Sequence, residues 1–240
     1  MLTANEAPLI SYRDVGLEGP DGSILTEVSA DIPARGITVI VGPSGAGKST
    51  MLRLANRLEA ADRGRVLVLG EDVATGDTRK LRRRVGMVFQ RPALFPCTVA
   101  DNLRVADPGL DDAAIRRLLG RVGLPPAVAG QDAGTLSGGE AQRLCIARAL
   151  AAAPIALLLD EATASLDPAA TTTIEDLVTG LAADGIPIVW VTHDQDQMRR
   201  IADQVVVVMA GRVVHVGPSR SPVTDPEGRA FLLGGKSDAG

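Results

Sequence analysis

A glycine-rich stretch at residues 42–50 has the residue types needed to hold a cluster of phosphates. It follows an apolar run at 39–41 and reads Gly42-Pro43-Ser44-Gly45-Ala46-Gly47-Lys48-Ser49-Thr50. Glycines let successive backbone N–H groups turn toward an anion, and the positive end of the following helix would face the same point. The Lys48 ammonium can reach terminal phosphates, and the Ser49 hydroxyl can ligate Mg²⁺. The stretch therefore predicts a site for a nucleoside triphosphate.

The alternative interpretation of this stretch is an ordinary glycine turn between a strand and a helix. The chain contains only three lysines, Lys48, Lys80 and Lys236, so a lysine at the one position that phosphate binding requires is informative. The full G-x-x-x-x-G-K-[ST] spacing is also present. We therefore favour phosphate binding over a plain turn.

Two adjacent carboxylates, Asp160 and Glu161, directly follow a second apolar run at 155–159. Phosphate chemistry needs one acid to hold a hydrated metal and another to activate water. We expect Asp160 to lie in the Mg²⁺ shell and Glu161 to act as the general base. A surface acidic pair or a cap of the next segment is the alternative.

His193 and Gln90 also come just after apolar runs, at 187–191 and 85–89. A histidine at such a point could donate to the γ-phosphate and orient the attacking water, although a buried imidazole with a structural hydrogen bond is the commoner outcome. The Gln90 carbonyl can ligate Mg²⁺, and the adjacent loop can report occupancy to a partner. A surface amide is the alternative for Gln90.

A parallel sheet would bring these side chains together, because the carboxyl ends of its strands meet at one edge. Continuous apolar runs predict buried strands, and capping and helical-period signals predict helices between them. We expect strands at 37–41, 66–69, 85–89, 155–159 and 187–191, and helices at 48–59, 80–84, 111–122, 137–153 and from 167 onward.

Two further segment pairs alternate apolar and polar residues and predict antiparallel hairpins, 9–15 with 25–32 and 204–209 with 212–216. The predicted fold class is α/β, with a mostly parallel central sheet, an N-terminal antiparallel β-subdomain and an inserted helical subdomain at about 92–153. Residues 1–217 would form one domain. Residues 218–240 would be an extension with a partly disordered tail.

The sequence Leu136-Ser137-Gly138-Gly139-Glu140-Ala141-Gln142-Arg143 resembles the signature of the nucleotide-binding subunits of ATP-binding-cassette (ABC) transporters. The resemblance covers about 9–217. The phosphate loop, Gln90, Asp160-Glu161, a Ser165-Leu166-Asp167 turn and His193 follow in the family's order. It implies the fold of phosphate-loop nucleotide hydrolases of the ABC type, with ATP and Mg²⁺ as cofactors.

The family resemblance also implies a head-to-tail dimer of two copies of the chain. The helix start at Ser137, Gly138, Gly139 and Glu140 would contact the γ-phosphate bound by the other copy's Lys48 loop. An S-x-x-E capping box accounts for Ser137 and Glu140 but does not require the two glycines between them, which would let the phosphate approach. Two ATP molecules would hold the dimer together, and hydrolysis would release it.

One position departs from the family pattern. Many relatives stack an aromatic side chain on adenine near the end of the first strand, where this chain has Gly19, and Tyr12 lies earlier in that strand. We interpret Tyr12 as a strand residue. Adenine would then be held loosely, with weak discrimination between ATP and GTP.

Composition limits the possible partners. The chain has 240 residues, 45% of them hydrophobic, and a net charge of −4, so it has no strong positive field for nucleic acid and none is expected as a partner. Cys97 and Cys145 have neither metal-ligand spacing nor a disulfide framework, which suits a reducing compartment. No apolar run is long enough to span a bilayer. We expect a cytoplasmic protein that is peripheral on the plasma membrane through a permease.

Three functional hypotheses follow. The first is the ATPase subunit of a bacterial-type transporter, docked on a membrane permease through an apolar surface near Gln90 at Phe89, Pro92, Leu94, Phe95 and Pro96. The second is a soluble cassette ATPase acting in cluster assembly, repair or on ribosomes, which the acidic balance disfavours for nucleic-acid substrates. The third is a regulatory module that binds ATP without hydrolysis, which Glu161 and His193 disfavour. Cargo specificity would lie in the membrane subunit.

Overall fold

Residues 7–233 are described by a computed structural model, in which two sheets lie on top of one another. The antiparallel sheet has the order β2-β1-β4-β5, and the six-stranded sheet has the order β10-β9-β3-β8-β7-β6. The strands are β1 Ile10–Gly19, β2 Gly22–Ile32, β3 Ile37–Val41, β4 Arg63–Val68, β5 Glu71–Asp72, β6 Val85–Val88, β7 Ala156–Asp160, β8 Ile188–Val191, β9 Gln204–Met209 and β10 Arg212–Pro218.

Eight α-helices and two short 3₁₀ helices are found within residues 7–233. The α-helices are α1 Lys48–Ala55, α2 Thr78–Arg84, α3 Val99–Ala106, α4 Asp112–Arg121, α5 Gly138–Ala151, α6 Pro168–Ala183, α7 Gln195–Ile201 and α8 Pro226–Leu232. The 3₁₀ helices are Pro126–Gly130 and Ala133–Thr135. Within the same residues, no helix combines the length and the apolar character needed to cross a bilayer.

The middle strands of the central sheet are parallel and buried on both faces, as expected where other elements cover both sides of a parallel sheet. Every residue of β3, β7 and β8 is buried, and β3 pairs in parallel with β8 and β9, as does β7 with β6 and β8. Side chains alternate between two cores: Val39 and Val41 belong to the core shared with the helices, and Ile40 to the core under the antiparallel sheet and α1. β10 pairs antiparallel with β9 at one edge, as predicted.

The helical region between β6 and β7 packs α3 and α4 against α5. Leu103, Ile115 and Leu119 are fully buried and share a core with Leu144 of α5. The sequence predicted α4 and α5 but not α3, whose N-cap Thr98 accepts a hydrogen bond from the Asp101 backbone. The segment after β6 is therefore placed against the helix that begins at Ser137.

Several predicted boundaries were wrong. In the first hairpin, β1 continues to Gly19 and β2 begins at Gly22, so the predicted loop is shorter. α1 ends at Ala55 rather than near residue 59, because Arg57 adopts a left-handed conformation with φ 54°. α2 begins at Thr78, where Asp77 caps it. β4 begins at Arg63 rather than at residue 66; residues 63–65 are exposed, so they carry no apolar signal in the sequence.

Beyond residue 217, α8 packs against the rest of the molecule, with Phe231 partly buried on the core and Val223 only 9% exposed. The sequence did not predict this helix. The predicted disordered tail falls partly on residues 234–240, which lie outside the described residues.

Candidate functional site

The phosphate loop lies between β3 and α1, with the backbone geometry that its glycines allow. Gly45 and Gly47 have φ of 77° and 96°, in the left-handed region that other residues avoid. At Gly42 a Cβ atom would come within 2.0 Å of the Val208 carbonyl oxygen, so no side chain fits there. Nothing lies within 4 Å of the position a Gly45 Cβ would take, which leaves that part of the loop open to a ligand.

Lys48 opens α1, and its ammonium is folded back into the loop. Its Nζ atom donates to the Gly42 carbonyl at 2.9 Å and the Pro43 carbonyl at 2.7 Å, and the residue is 5% exposed. Burial lowers the pKa of Lys48, and the Glu161 and Asp160 carboxylates oppose that shift. A partly desolvated ammonium in this position is a strong electrostatic partner for a phosphate oxygen.

Ser49 and Asp160 meet at the start of α1 and the end of β7. The Ser49 hydroxyl donates to Asp160 Oδ1 at 2.5 Å, and Arg53 Nη2 lies 3.6 Å from Asp160 Oδ2. A hydroxyl and a carboxylate at this separation are the hard oxygen donors that Mg²⁺ takes together with phosphate oxygens and water. Among residues 7–233, no group of three or more His, Cys, Asp and Glu could hold a metal by itself. The pair therefore fits Mg²⁺ that is brought with a nucleotide.

Glu161 and His193 face each other at the ends of neighbouring strands. His193 Nδ1 lies 3.4 Å from Glu161 Oε2, and the Glu161 N–H donates to the Val191 carbonyl at 3.0 Å. Glu161 has φ 48°, a conformation that costs a non-glycine residue about 1 kcal/mol and recurs at functional sites. His193 is half exposed, so the alternative of a buried structural imidazole is wrong. The two side chains line a cavity of about 500 Å³.

Gln90 follows β6 with an exposed side chain, on a segment tied to the helix that begins at Ser137. Gln142, which is 1% exposed on α5, donates from Nε2 to the Phe89 carbonyl at 2.9 Å. Gln142 was not singled out from the sequence, because a glutamine inside a helix carries no local signal of such a contact. Its bond fixes the backbone directly before Gln90 relative to α5.

The predicted capping box at the start of α5 is present. The Ser137 backbone N–H and hydroxyl both donate to Glu140 Oε2, at 2.9 and 2.6 Å, and the Glu140 N–H donates back to Ser137 Oγ. Hydrogen bonds from Ser137 lower the pKa of Glu140. At Gly139 a Cβ would lie 3.0 Å from the Ala170 Cβ of α6, so this glycine also has a packing reason that the sequence did not indicate.

The start of α5 lines a cleft of its own, separate from the phosphate loop. The cleft has a volume of about 240 Å³, and its lining includes Ser137, Gly138, Arg143 and Asp167. All of its lining residues come from α5, α6 and the turn at 165–167, and residues 42–50 are not among them. The glycine-paired helix start therefore lines a cleft to which the phosphate loop of the same chain does not contribute.

Tyr12 is a strand residue, as expected. It is fully buried in β1, and its hydroxyl donates to the Met51 carbonyl of α1 at 2.8 Å. Gly19 lies at the tip of the first hairpin, paired with Gly22, where a Cβ would meet Ile24 at 2.8 Å. Tyr12 is thus committed to the core and is not free to stack on a base.

Arg53 is a further site residue that the sequence analysis did not name. It lies one helical turn beyond Ser49 on α1, so both side chains reach Asp160. Residues four apart in a helix lie on the same face, so the predicted helix could have placed Arg53 beside Ser49.

The fold and the grouping of Lys48, Ser49, Asp160, Glu161 and His193 define an ATP-binding cassette. Residues 25–164 match the family model described as ABC transporter. The chain belongs to this family and is an ATP-hydrolysing subunit of the ABC transporter type. The resemblance and the predicted α/β fold class are therefore confirmed.

Individual relatives agree with this assignment. Protein STAR1 of rice is 45% identical over 217 residues, which is 87% of this chain and 62% of that protein. The phosphate import ATP-binding protein PstB of Pyrobaculum aerophilum is 40% identical over 234 residues, covering 90% of this chain and 93% of that one. The structure of cbiO1 from Clostridium perfringens, part of the ABC transporter complex cbiONQ, superposes with a TM-score of 0.80 at 30% identity, covering 90% of each chain.

Proposed function

We propose that this chain binds and hydrolyses MgATP at the interface of a head-to-tail dimer and drives transport through a separate membrane permease. The observation that supports a dimer is that the Lys48 loop and the Ser137 helix start, both suited to phosphate, do not share a cleft in one chain. The helix start at Ser137 lines a cleft whose lining includes no residue of the Lys48 loop. A second copy, related by a two-fold axis, would bring its Ser137 helix start to this chain's Lys48 loop.

Each site residue has a role that follows from its position. Lys48 would leave the Gly42 and Pro43 carbonyls and bind the terminal phosphates, where its charge stabilises the transition state. Glu161 would accept the proton of the attacking water, and His193, 3.4 Å away, would orient that water and donate to the γ-phosphate. Ser49 and Asp160, together with Gln90, would hold Mg²⁺, which neutralises charge on the phosphates. The ligation by Gln90 stays a prediction.

The remaining residues of the loop and of the helix start would bind phosphate oxygens through the backbone. The loop residues in this role are Gly42, Ser44, Gly45, Ala46, Gly47 and Thr50, whereas Pro43 has no backbone N–H and would shape the loop between them. In the other copy the corresponding residues are Ser137, Gly138, Gly139 and Glu140. Backbone N–H groups at a helix start are donors suited to a γ-phosphate, and the Ser137 hydroxyl would leave Glu140 to become another.

An exposed surface beside Gln90 suits a membrane partner. Phe89, Phe95 and Val105 are large apolar side chains that are 40%, 45% and 54% exposed. Phe95 and Val105 line a groove of about 330 Å³ together with Arg82 and Arg148. Leu94, in contrast, is partly buried and packs against the core. A permease segment bound here would keep the chain on the cytoplasmic face of the membrane and would contact the segment that leads to Gln90.

Co-purification tests the transport part of this proposal. The full chain is expressed with the membrane protein encoded beside it, and recovery of the pair from detergent is measured for the wild type, Phe95→Asp and Val216→Asp. Val216 is a similarly exposed apolar residue, 38%, on β10 at the opposite edge of the sheet. We expect Phe95→Asp to lose the membrane protein and Val216→Asp to retain it. Recovery of no membrane-spanning partner by the wild type would contradict the proposal.

A further inference from the structure

A buried polar cluster joins the segment after Glu161 to the helix after His193. Gln197 Nε2 donates to Thr163 Oγ1 and to Glu175 Oε1, both at 2.9 Å. Arg200 donates to both oxygens of Glu175, from Nε at 2.9 Å and from Nη2 at 2.7 Å. Thr163, Glu175 and Gln197 are 8%, 5% and 2% exposed. The cluster therefore links the turn after β7 with α6 and α7.

The ionised state of Glu175 fixes the direction of these bonds. Burial works to raise the pKa of Glu175, but the hydrogen bonds from Arg200 and Gln197 outweigh it, and the net pKa is lowered. A carboxylate only accepts hydrogen bonds, so the Gln197 amide must turn its NH₂ group toward Glu175. Its second N–H then points at Thr163, whose hydroxyl is the acceptor. The amide is held in a single orientation.

The two ends of this cluster are close in sequence to Glu161 and His193. Thr163 comes two residues after Glu161. Gln197 is in the first turn of α7, where its backbone N–H donates to Asp194, the N-cap directly after His193. Because His193 is 56% exposed, its 3.4 Å contact with Glu161 is not fixed by burial of its own side chain. The geometry of the pair must come from the backbone segments that carry it.

We propose that Gln197, acting through the Thr163 hydroxyl, is a positioning residue that sets the distance between Glu161 and His193. This inference rests on the proposed roles of Glu161 and His193 in hydrolysis. Without the Gln197–Thr163 bond, no side-chain hydrogen bond from Thr163 ties the turn after Glu161 to α7, and the turn is held by its backbone bonds alone. A displacement of this kind lowers the rate of a reaction without changing how tightly the substrate is held elsewhere.

The test uses substitutions that remove the hydroxyl with little change of shape. Thr163→Val deletes the acceptor, Thr163→Ser keeps it, and Thr172→Val is the matched control. Thr172 lines the same cavity, and its hydroxyl donates within α6 to the Pro168 carbonyl. ATP turnover of the full chain is measured as kcat and KM, and the folded fraction is followed by the fluorescence of Trp190, the only tryptophan.

We expect Thr163→Val to lower kcat ~10- to 100-fold with KM for ATP within about twofold, as for a misplaced reacting group. Thr163→Ser and Thr172→Val should keep wild-type kcat. Wild-type kcat in Thr163→Val, equal loss in Thr163→Ser, or loss that only follows the folded fraction would overturn the inference. A Glu161→Gln variant measured in parallel separates the two possible failures. Undiminished turnover of Glu161→Gln would overturn the role of Glu161 and this inference with it. Loss of turnover in Glu161→Gln, with wild-type turnover in Thr163→Val, would overturn only the inference.

Discussion

His193 Nδ1 lies 3.4 Å from Glu161 Oε2, across the ends of the paired strands β8 and β7. The pairing of Asp160 with Val191 brings the two residues to neighbouring strand ends, because each follows its strand within two residues of that pair. Glu161 is mostly buried, with 21% of its side chain exposed, whereas 56% of the His193 side chain is exposed. A carboxylate and an imidazole in this arrangement can share the work of activating and orienting one water.

Replacing Glu161 by glutamine should stop turnover and keep binding. Glutamine has the same shape but cannot accept a proton, so we expect kcat to fall ~10²- to 10⁴-fold while ATP still binds. The ATP-bound dimer should then accumulate, because hydrolysis no longer releases it. Phosphate release and light scattering after size-exclusion chromatography measure the two effects.

Glu18 is exposed on β1, so Glu18→Gln provides the control for this substitution and should behave as the wild type. Turnover in Glu161→Gln that matches the Glu18→Gln control would remove Glu161 as the base.

Nucleotide selectivity should be weak. Tyr12 is buried and bonded to the Met51 carbonyl, and Gly19 offers no ring to the base. Stacking on an aromatic residue is therefore not available from either position, and we expect kcat/KM for ATP and GTP to agree within about tenfold, or 1.4 kcal/mol. Steady-state hydrolysis of both nucleotides under the same conditions measures the ratio. A strong preference for ATP would show that other residues recognise adenine.

Tyr12→Phe should have an effect on stability that depends on pH. The lost hydrogen bond to Met51 should cost about 1 kcal/mol at pH 7. Burial raises the pKa of Tyr12 above its ordinary value of 10.0, so the folded state keeps the phenol neutral while the unfolded chain ionises. The contribution of the Tyr12 phenol to the free energy of unfolding is present in full below pH 10 and is lost as the pH rises toward the folded pKa.

Phenylalanine does not titrate, so the stability gap between the wild type and Tyr12→Phe should narrow above pH 10. Urea unfolding of both proteins at pH 7 and pH 10.5 measures the gap. A gap of constant size would mean that the phenol is not held neutral in the fold.

Much of the fold was predictable because its strands carry unambiguous signals. β3, β7 and β8 are continuous apolar runs that match strands buried on both faces, and the polar residues after them were expected at one edge of the sheet. The meeting of Glu161 with His193 and of Ser49 with Asp160 followed from that expectation. The role of Gln90 stays a prediction, because its exposed side chain shows no contact that defines one.

Contacts between distant segments were not predictable. The helices α3, α7 and α8 are seven or eight residues long, which is too short for a clear helical period, and tertiary packing stabilises them. The cluster of Thr163, Glu175 and Gln197 joins three elements, and nothing in the local sequence of any one of them indicates the other two. A structure was required to find it.

The most direct test of the composite site is complementation between two inactive variants. Lys48→Ala removes the phosphate-loop cation, and Ser137→Arg blocks the helix start, so each homodimer should be inactive. A mixed dimer has one site with both changes and one with neither. Randomly paired chains at equal concentrations should therefore recover about a quarter of wild-type turnover if the sites act independently. Turnover of the mixture that stays at the level of the separate variants would contradict a site built from two copies.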